Sequence, residues 1–234
     1  MDLNTEWNKI DRDDSVKFYR DYFDDERELT EFLDKVYGMD WDNRIPRRMI
    51  NQIRRFVTLA VRIEEIYPPR DGLRLVFIRT CMEALSHLDK SVPKKDFFGK
   101  FEKCFDEEGA EYIHSHFELA FCEKMGKHMA DICGGGLSVK EFFELVRYIR
   151  NQAVHDGIFW EIQVFAGDED TTWSTHFETK ENIFESKIEN KGKNVVTYHF
   201  KTTLQFDRFI YYFTRACVNY VNQYIDRRLL KSSR

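Results

Sequence analysis

From Ile45 the apolar positions Met49, Ile53, Phe56, Ala60, Ile63 and Tyr67 recur at steps of four and three, predicting a long amphipathic helix that Pro68-Pro69 ends. A second helix is predicted by Leu73, Val76, Phe77, Thr80, Cys81, Ala84, Leu85 and Leu88 on one face. Between Pro93 and Met125 two shorter aromatic-rich helices are expected, one carrying Phe97, Phe98, Phe101 and Phe105, the other Tyr112, Phe117, Leu119 and Phe121. Gly134-Gly135-Gly136 then reads as a connector. Ser138-Val139-Lys140-Glu141 is a capping-box sequence, in which Ser and Glu satisfy each other's exposed backbone donors, so a helix should start there. Its apolar stripe is Val139, Phe142, Val146, Ile149 and Ala153, and Gly157 is its natural left-handed terminator.

The period changes to two at Trp160/Ile162/Val164 and Val196/Tyr198/Phe200, with turn-rich pieces at Gly167 to Asp170 and Asn190 to Asn194, which predicts a small antiparallel sheet. Helical spacing returns with Phe206, Phe209, Phe213, Cys217, Tyr220 and Tyr224. The expected fold is mainly α, a helical bundle with a small antiparallel β insertion before the last helix. Residues 1–40 read as an acidic N-terminal helical extension, 41–157 with 204–234 as the bundle, and 158–203 as the β insertion.

Composition narrows the class. The chain of 234 residues is 42% hydrophobic, which supports a sizeable core, and only 4 Pro and 11 Gly exclude collagen-like and Pro-rich readings. The longest charge-free stretch, Ala216 to Ile225, is about half of what a membrane span needs. The first residues contain no apolar signal core, and the five cysteines are an odd number without framework spacing, which together predict a cytoplasmic protein with reduced thiols and no membrane partner. A net charge of -5 argues against a general nucleic-acid coat, so the distribution of charge matters more than its sum.

That distribution is uneven. Residues 11 to 34 carry ten acids against four bases, whereas Arg44, Arg47, Arg48, Arg54, Arg55 and Arg62 form a run with no acid between them. On a helix Arg48, Arg55 and Arg62, with Arg47 and Arg54, make a stripe beside the apolar line. It reads either as a solvated face or as a track for RNA phosphates, and the acidic segment beside it is a candidate shield. Cys104, His114, His116, Cys122, His128 and Cys133 are possible zinc-ligand types without ligand spacing, so no metal and no cofactor are expected. The glycine run lacks the Lys-Ser/Thr of a phosphate loop.

The most informative stretch is Arg147-Tyr148-Ile149-Arg150-Asn151-Gln152-Ala153-Val154-His155-Asp156-Gly157. An Arg followed five residues later by His would arise by chance about 0.6 times in this composition, and with Asn directly after the Arg about 0.02 times. At 100° per residue Arg150, Asn151 and His155 share the arc opposite the apolar stripe, although Arg150 and His155 stand about 140° apart. That arc also carries Phe143, Tyr148 and Val154, which suggests a second surface covering it. A capping or surface network is the structural alternative, with His155 favourable to the helix dipole and Arg150 beside Asp156.

Arg150-Asn151-x3-His155, late in a helix of a helical bundle, resembles the HEPN (higher eukaryotes and prokaryotes nucleotide-binding) superfamily. The resemblance covers about residues 45 to 157 and 204 to 231, and only the short motif is specific. It implies a four-helix-type bundle, a homodimer whose motifs face each other across a groove, and metal-independent endoribonuclease activity of the kind found in toxin and antiviral-defence systems. It further implies Arg150 and His155 as catalytic residues with Asn151 in support, RNA as substrate and an antitoxin or regulatory protein as partner, while charge alone makes Arg47, Arg48, Arg54, Arg55, Arg62 and Arg147 the candidate RNA-binding positions. Members paired with a nucleotidyltransferase antitoxin have a Tyr shortly after the His. Asp156-Gly157 stands there instead, which sets the chain outside that subgroup. The alternative the resemblance leaves is a catalytically silent HEPN dimer that binds RNA, nucleotide or a protein.

Overall fold

The computed structural model describes residues 3–39, 44–67, 71–124, 127–128, 135–157, 163–167, 172–179, 183 and 195–232. It is mainly helical, with a small four-stranded antiparallel sheet completed just before the last helix. The helices are α1 (Leu3–Tyr19), α2 (Glu26–Tyr37), α3 (Ile45–Arg62), α4 (Asp71–Leu88), α5 (Lys94–Phe101), α6 (Glu107–His116), α7 (Val139–Asn151) and α8 (Phe206–Ser232). The strands are β1 (Phe117–Lys124), β2 (Lys127–His128), β3 (Trp173–Thr179) and β4 (Val196–Thr202). Among the described residues, no helix is long and apolar enough to cross a membrane.

The stripes predicted for α3, α4, α7 and α8 meet in one core. Met49, Ile53, Leu75, Ile78, Val146, Phe209 and Phe213 are fully buried, and Phe56 and Phe77 pack against them. Isolated amphipathic helices are marginal in water, so each stripe depends on the others for burial. Local chemistry sets the ends. Asp25 caps α2 by accepting from the Glu28 N–H, Asp106 caps α6 by accepting from Gly109, and Ser138 with Glu141 forms the expected capping box on α7.

The acidic segment is part of this core rather than an appendage. Tyr19, Leu29, Phe32, Leu33 and Val36 are buried, and the Tyr19 hydroxyl donates to the Ile50 carbonyl of α3 at 2.7 Å. The segments expected as extension, bundle and insertion therefore contribute to a single cluster.

The sheet departs from expectation in its membership. Its order is β2-β1-β4-β3, so half of its strands precede α7. Phe117 and Leu119, expected on a helix, lie on β1, and helix α6 stops at His116. The step of two between these residues is a strand period, and pairing along the whole of β4 realises it. The strand expected at Trp160 and Ile162 falls outside the described residues. Val164 instead hangs between elements, its N–H and that of Phe165 each donating to the buried Asp71 carboxylate at 2.8 Å, while Thr202 donates to its carbonyl. Burial holds the Asp71 carboxyl above its ordinary pKa against these hydrogen bonds and the Arg74 charge.

The glycine run is likewise built in where it is described. The Gly135 carbonyl accepts from Leu119, the Leu137 N–H donates to the Phe117 carbonyl, and Gly136 bridges Glu118. A Cβ on Gly136 would stand 1.8 Å from the His114 carbonyl oxygen. Backbone fills that space, so Gly136→Ala should lower stability by roughly 2 kcal/mol or more, read as a fall in thermal midpoint with the helical circular dichroism of the folded state retained.

A buried carboxylate ties α8 to the end of α4. Asp89, fully buried, accepts from Tyr220 Oη at 2.6 Å, from Arg227 at 2.7 Å and from the Ser91 backbone at 2.9 Å. Burial opposes ionisation here, but the hydrogen bonds from Ser91 and Tyr220 and the Arg227 charge more than offset it and hold the carboxyl below its ordinary pKa. The stabilisation is present above the ordinary aspartate range and is lost as pH falls through the lowered value. Asp89→Asn should cost about 2–4 kcal/mol near neutral pH, with a smaller penalty in strong acid, measured by denaturant unfolding at both pH values.

Candidate functional site

The end of α7 changes geometry at the motif. After Asn151 the backbone widens into a π turn, Gln152–Asp156, closed by the Gly157 N–H donating to the Gln152 carbonyl, with Gly157 left-handed at φ 69°. Only a residue without Cβ adopts that conformation freely, so the predicted terminator is in place. A five-residue hydrogen-bonded turn brings residues five apart nearer one another around the axis, which narrows the 140° between Arg150 and His155 in a regular helix.

Arg150 is half-buried and doubly held. Its Nη2 donates to Glu83 of α4 at 3.0 Å and its Nη1 to the Asn151 side-chain oxygen at 3.1 Å. Glu83 also accepts from Arg79 Nε at 3.2 Å, so one carboxylate joins two arginines. Arg79 lies over the Phe98 ring, 3.8 Å from its centre, and is almost wholly buried. Burial lowers the Arg79 pKa, Glu83 opposes this, and the charges of Arg147 and Arg150 lower it further, so the three guanidinium groups share one electrostatic neighbourhood. His155 is exposed on the π turn beside Val154, which is 53% exposed.

Arg150 and Asn151 are thus brought into direct contact, and His155 follows one turn later facing solvent. The second surface expected over this face is supplied largely by the chain itself. Phe143 packs against Phe101, Phe105 and Phe213, and Tyr148 is buried with its hydroxyl accepting from Gln152. Val154 alone of the three apolar neighbours stays outside.

The arginines of α3 divide into two sets. Arg47 donates to the carbonyls of Tyr37 and Met39 at the end of α2, and Arg54 pairs with Asp11 at 3.1 Å and Asp14 at 3.9 Å on α1. Those two serve the packing of the acidic segment. Arg48, Arg55 and Arg62 are exposed, Arg62 pairing Glu65 and Arg55 lying over Phe56. Arg147 is exposed on α7, one turn before Arg150.

Three cysteines are described as free and buried, Cys81, Cys104 and Cys217. Burial pushes the Cys104 thiol up to about 11, which makes it a poor nucleophile and ligand. His116 packs its ring at a tilt against Tyr112 and hydrogen-bonds the Tyr112 carbonyl. Among the described residues no group of three His, Cys, Asp or Glu is placed to hold a metal ion, and the Cys122, His128 and Cys133 side chains fall outside them.

Sequence reasoning missed Glu83 and Arg79. Their i, i+4 spacing on α4 was readable as a helical ion pair, but the contact to Arg150 spans 67 residues and needs the fold. No protein-family model, curated protein or solved structure matches the chain.

If Glu83 is the common partner of both arginines, Glu83→Gln should destabilise by about 1 kcal/mol, and the penalty should shrink in an Arg150→Ala background. A double-mutant cycle by urea unfolding measures this, and strict additivity would mean that the two groups do not interact in solution.

Proposed function

We propose that the chain is a HEPN-type, metal-independent endoribonuclease acting as a homodimer, with Arg150 and His155 as the reacting pair and Asn151 and Glu83 as positioning residues. The observation that carries this reading is Arg150, fixed by Glu83 and Asn151, followed one turn later by an exposed His155 on a widened turn. RNA carries its own nucleophile. The 2'-oxygen attacks the adjacent phosphorus as its proton leaves, the 5'-oxygen departs taking up a proton, and the products end in a 2',3'-cyclic phosphate and a 5'-hydroxyl. Histidine suits both proton transfers because its ordinary pKa lies near neutrality. Arginine keeps its charge and presents a planar fork to the phosphorane oxygens. Asn151 acts here on Arg150 itself, accepting from Nη1 and so aiming the guanidinium. A two-fold axis would set one His155 as base and its partner's copy as acid. A toxin or defence role, with an antitoxin or regulatory protein as partner, is the biological setting the motif suggests.

A second reading has one observation in its favour. Glu83 already occupies one edge of Arg150, and a carboxylate there competes with a phosphate. A catalytically silent dimer that binds RNA, nucleotide or a protein partner would keep that pair closed.

Incubating the protein with structured and unstructured RNAs in EDTA separates the two. Cleavage should appear with the wild-type protein and fall by about 10² to 10⁴ in His155→Ala, whose side chain is exposed, so the melting temperature should be unchanged. Arg150→Ala should lose activity comparably while costing about 1 kcal/mol of stability through Glu83. Cleavage surviving in both variants, or absent from the wild type while RNA still binds, would discard the nuclease reading in favour of the binding module.

A further inference from the structure

The sheet brings together two histidines that stand 23 positions apart in the chain. His176 of β3 lies directly opposite His199 of β4 in the antiparallel register, and their rings stack with centres 5.5 Å apart and planes within 23° of parallel. Side chains alternate between the two faces of a sheet, and Thr175, Tyr198 and Phe200, the neighbours of this pair, are buried. The pair therefore occupies the outer face, where His176 is exposed and His199 half-buried. The charged groups around it on that face are Glu178, two residues along β3, Lys201, two residues along β4, and Glu118 of β1 opposite Lys201. All three are exposed. No ligand spacing marks the two histidines in the sequence, because register and not chain distance makes them neighbours.

We propose that His176 and His199 form a two-nitrogen clamp for one late first-row divalent cation, such as Zn²⁺ or Ni²⁺, which ties β3 to β4. Imidazole nitrogen is the donor these ions favour, whereas Mg²⁺ and Ca²⁺ take oxygen. Residues directly opposite on antiparallel strands have Cβ atoms about 4.5–5.5 Å apart. Nitrogens bound about 2.0–2.1 Å from one ion sit about 3–3.5 Å from each other, a separation that side chains on such a pair can reach. Pairing along all seven residues of β3 holds the two backbones in place before any ion arrives, so closing the clamp costs little more than the turning of the exposed His176 against the half-buried His199. Among the described residues no third His, Cys, Asp or Glu completes a metal-ligand group, so water takes the other coordination positions, and Glu178 contributes negative charge from the same strand. The role is structural, since binding to the folded sheet alone stabilises it. Neither ring belongs to the proposed reacting pair, so the clamp and metal-independent cleavage stand or fall separately.

The test titrates Zn²⁺, Ni²⁺ and Mg²⁺ separately into the full chain by calorimetry, with the thermal midpoint followed in parallel. Zn²⁺ and Ni²⁺ should bind the wild type and raise its midpoint further as free metal increases, while Mg²⁺ does neither. His176→Ala and His199→Ala should each weaken binding at least about tenfold and remove the gain in midpoint, and the exposed pair His87→Ala/His114→Ala should change it less than about twofold. His176 is exposed, so its variant should melt with the wild type in EDTA, which keeps the test valid even where His199→Ala disturbs β4. Absence of binding to the wild type, binding retained in His176→Ala, or equal weakening in the His87/His114 variant overturns the proposal.

Discussion

Two adjacent phenylalanines on α7 impose the constraint on which the site rests. Phe142 meets Phe117 of β1 and Phe209 of α8, with ring centres 5.5 and 5.2 Å apart, while Phe143 meets Phe101 of α5, Phe105 and Phe213. Neighbours in a helix point about 100° apart, so burying both wraps the core around much of the helix circumference. Only a narrow strip of α7 can then be polar, and charged residues placed there are forced together. Lys140, Arg147 and the half-buried Arg150 therefore lie where the clamp leaves α7 uncovered.

The same clamp explains what could and could not be read from the sequence. The apolar stripes of α3, α4, α7 and α8 were legible because each is a strong helical period that survives any choice of partner, and the Ser138/Glu141 cap and Gly157 terminator were legible because they are local chemistry. The burial of Phe143 and Tyr148 was not, because a single stripe does not reveal a second buried face, and for Phe143 that face is covered by Phe101 of α5, Phe105 and Phe213 of α8. Phe117 and Leu119 were assigned to a helix although they alternate. Their partners on β4 lie about eighty residues later, so nothing nearby marked a strand. The glycine run failed for a related reason: closeness of Gly136 to the His114 backbone is a tertiary fact.

The candidate site divides along the same line. Arg150, Asn151 and His155 stand within six residues, and their conjunction was visible as an improbable pattern. Glu83 comes from α4, which carries no motif, and only the packing of α4 against α7 makes it a neighbour of Arg150. The arginine run of α3 shows the converse. Its regular spacing was conspicuous, yet Arg47 and Arg54 are committed to holding α1 and α2, where half-buried pairs draw strength from reduced solvent screening.

Arg150 is held by a carboxylate, and if the site takes RNA as proposed, an incoming phosphate would have to compete with it. Glu83 uses its other oxygen on Arg79, so it cannot follow Arg150 outward without breaking a largely buried pair. A monoanion in bulk solvent gains little by displacing it. On the proposed reading a phosphodiester would take over Nη1 from Asn151, since Nε is buried, and further phosphates would be neutralised by Arg147 and Lys140 while Glu83 stays in place. The carboxylate then serves two ends. It removes the conformational freedom of Arg150 in advance, which would lower the entropy lost if a substrate bound there. It would also lower the local positive charge, so that on the proposed reading a single small anion would be held weakly, whereas a chain of phosphates, each finding its own cation along α7, would be held by their sum.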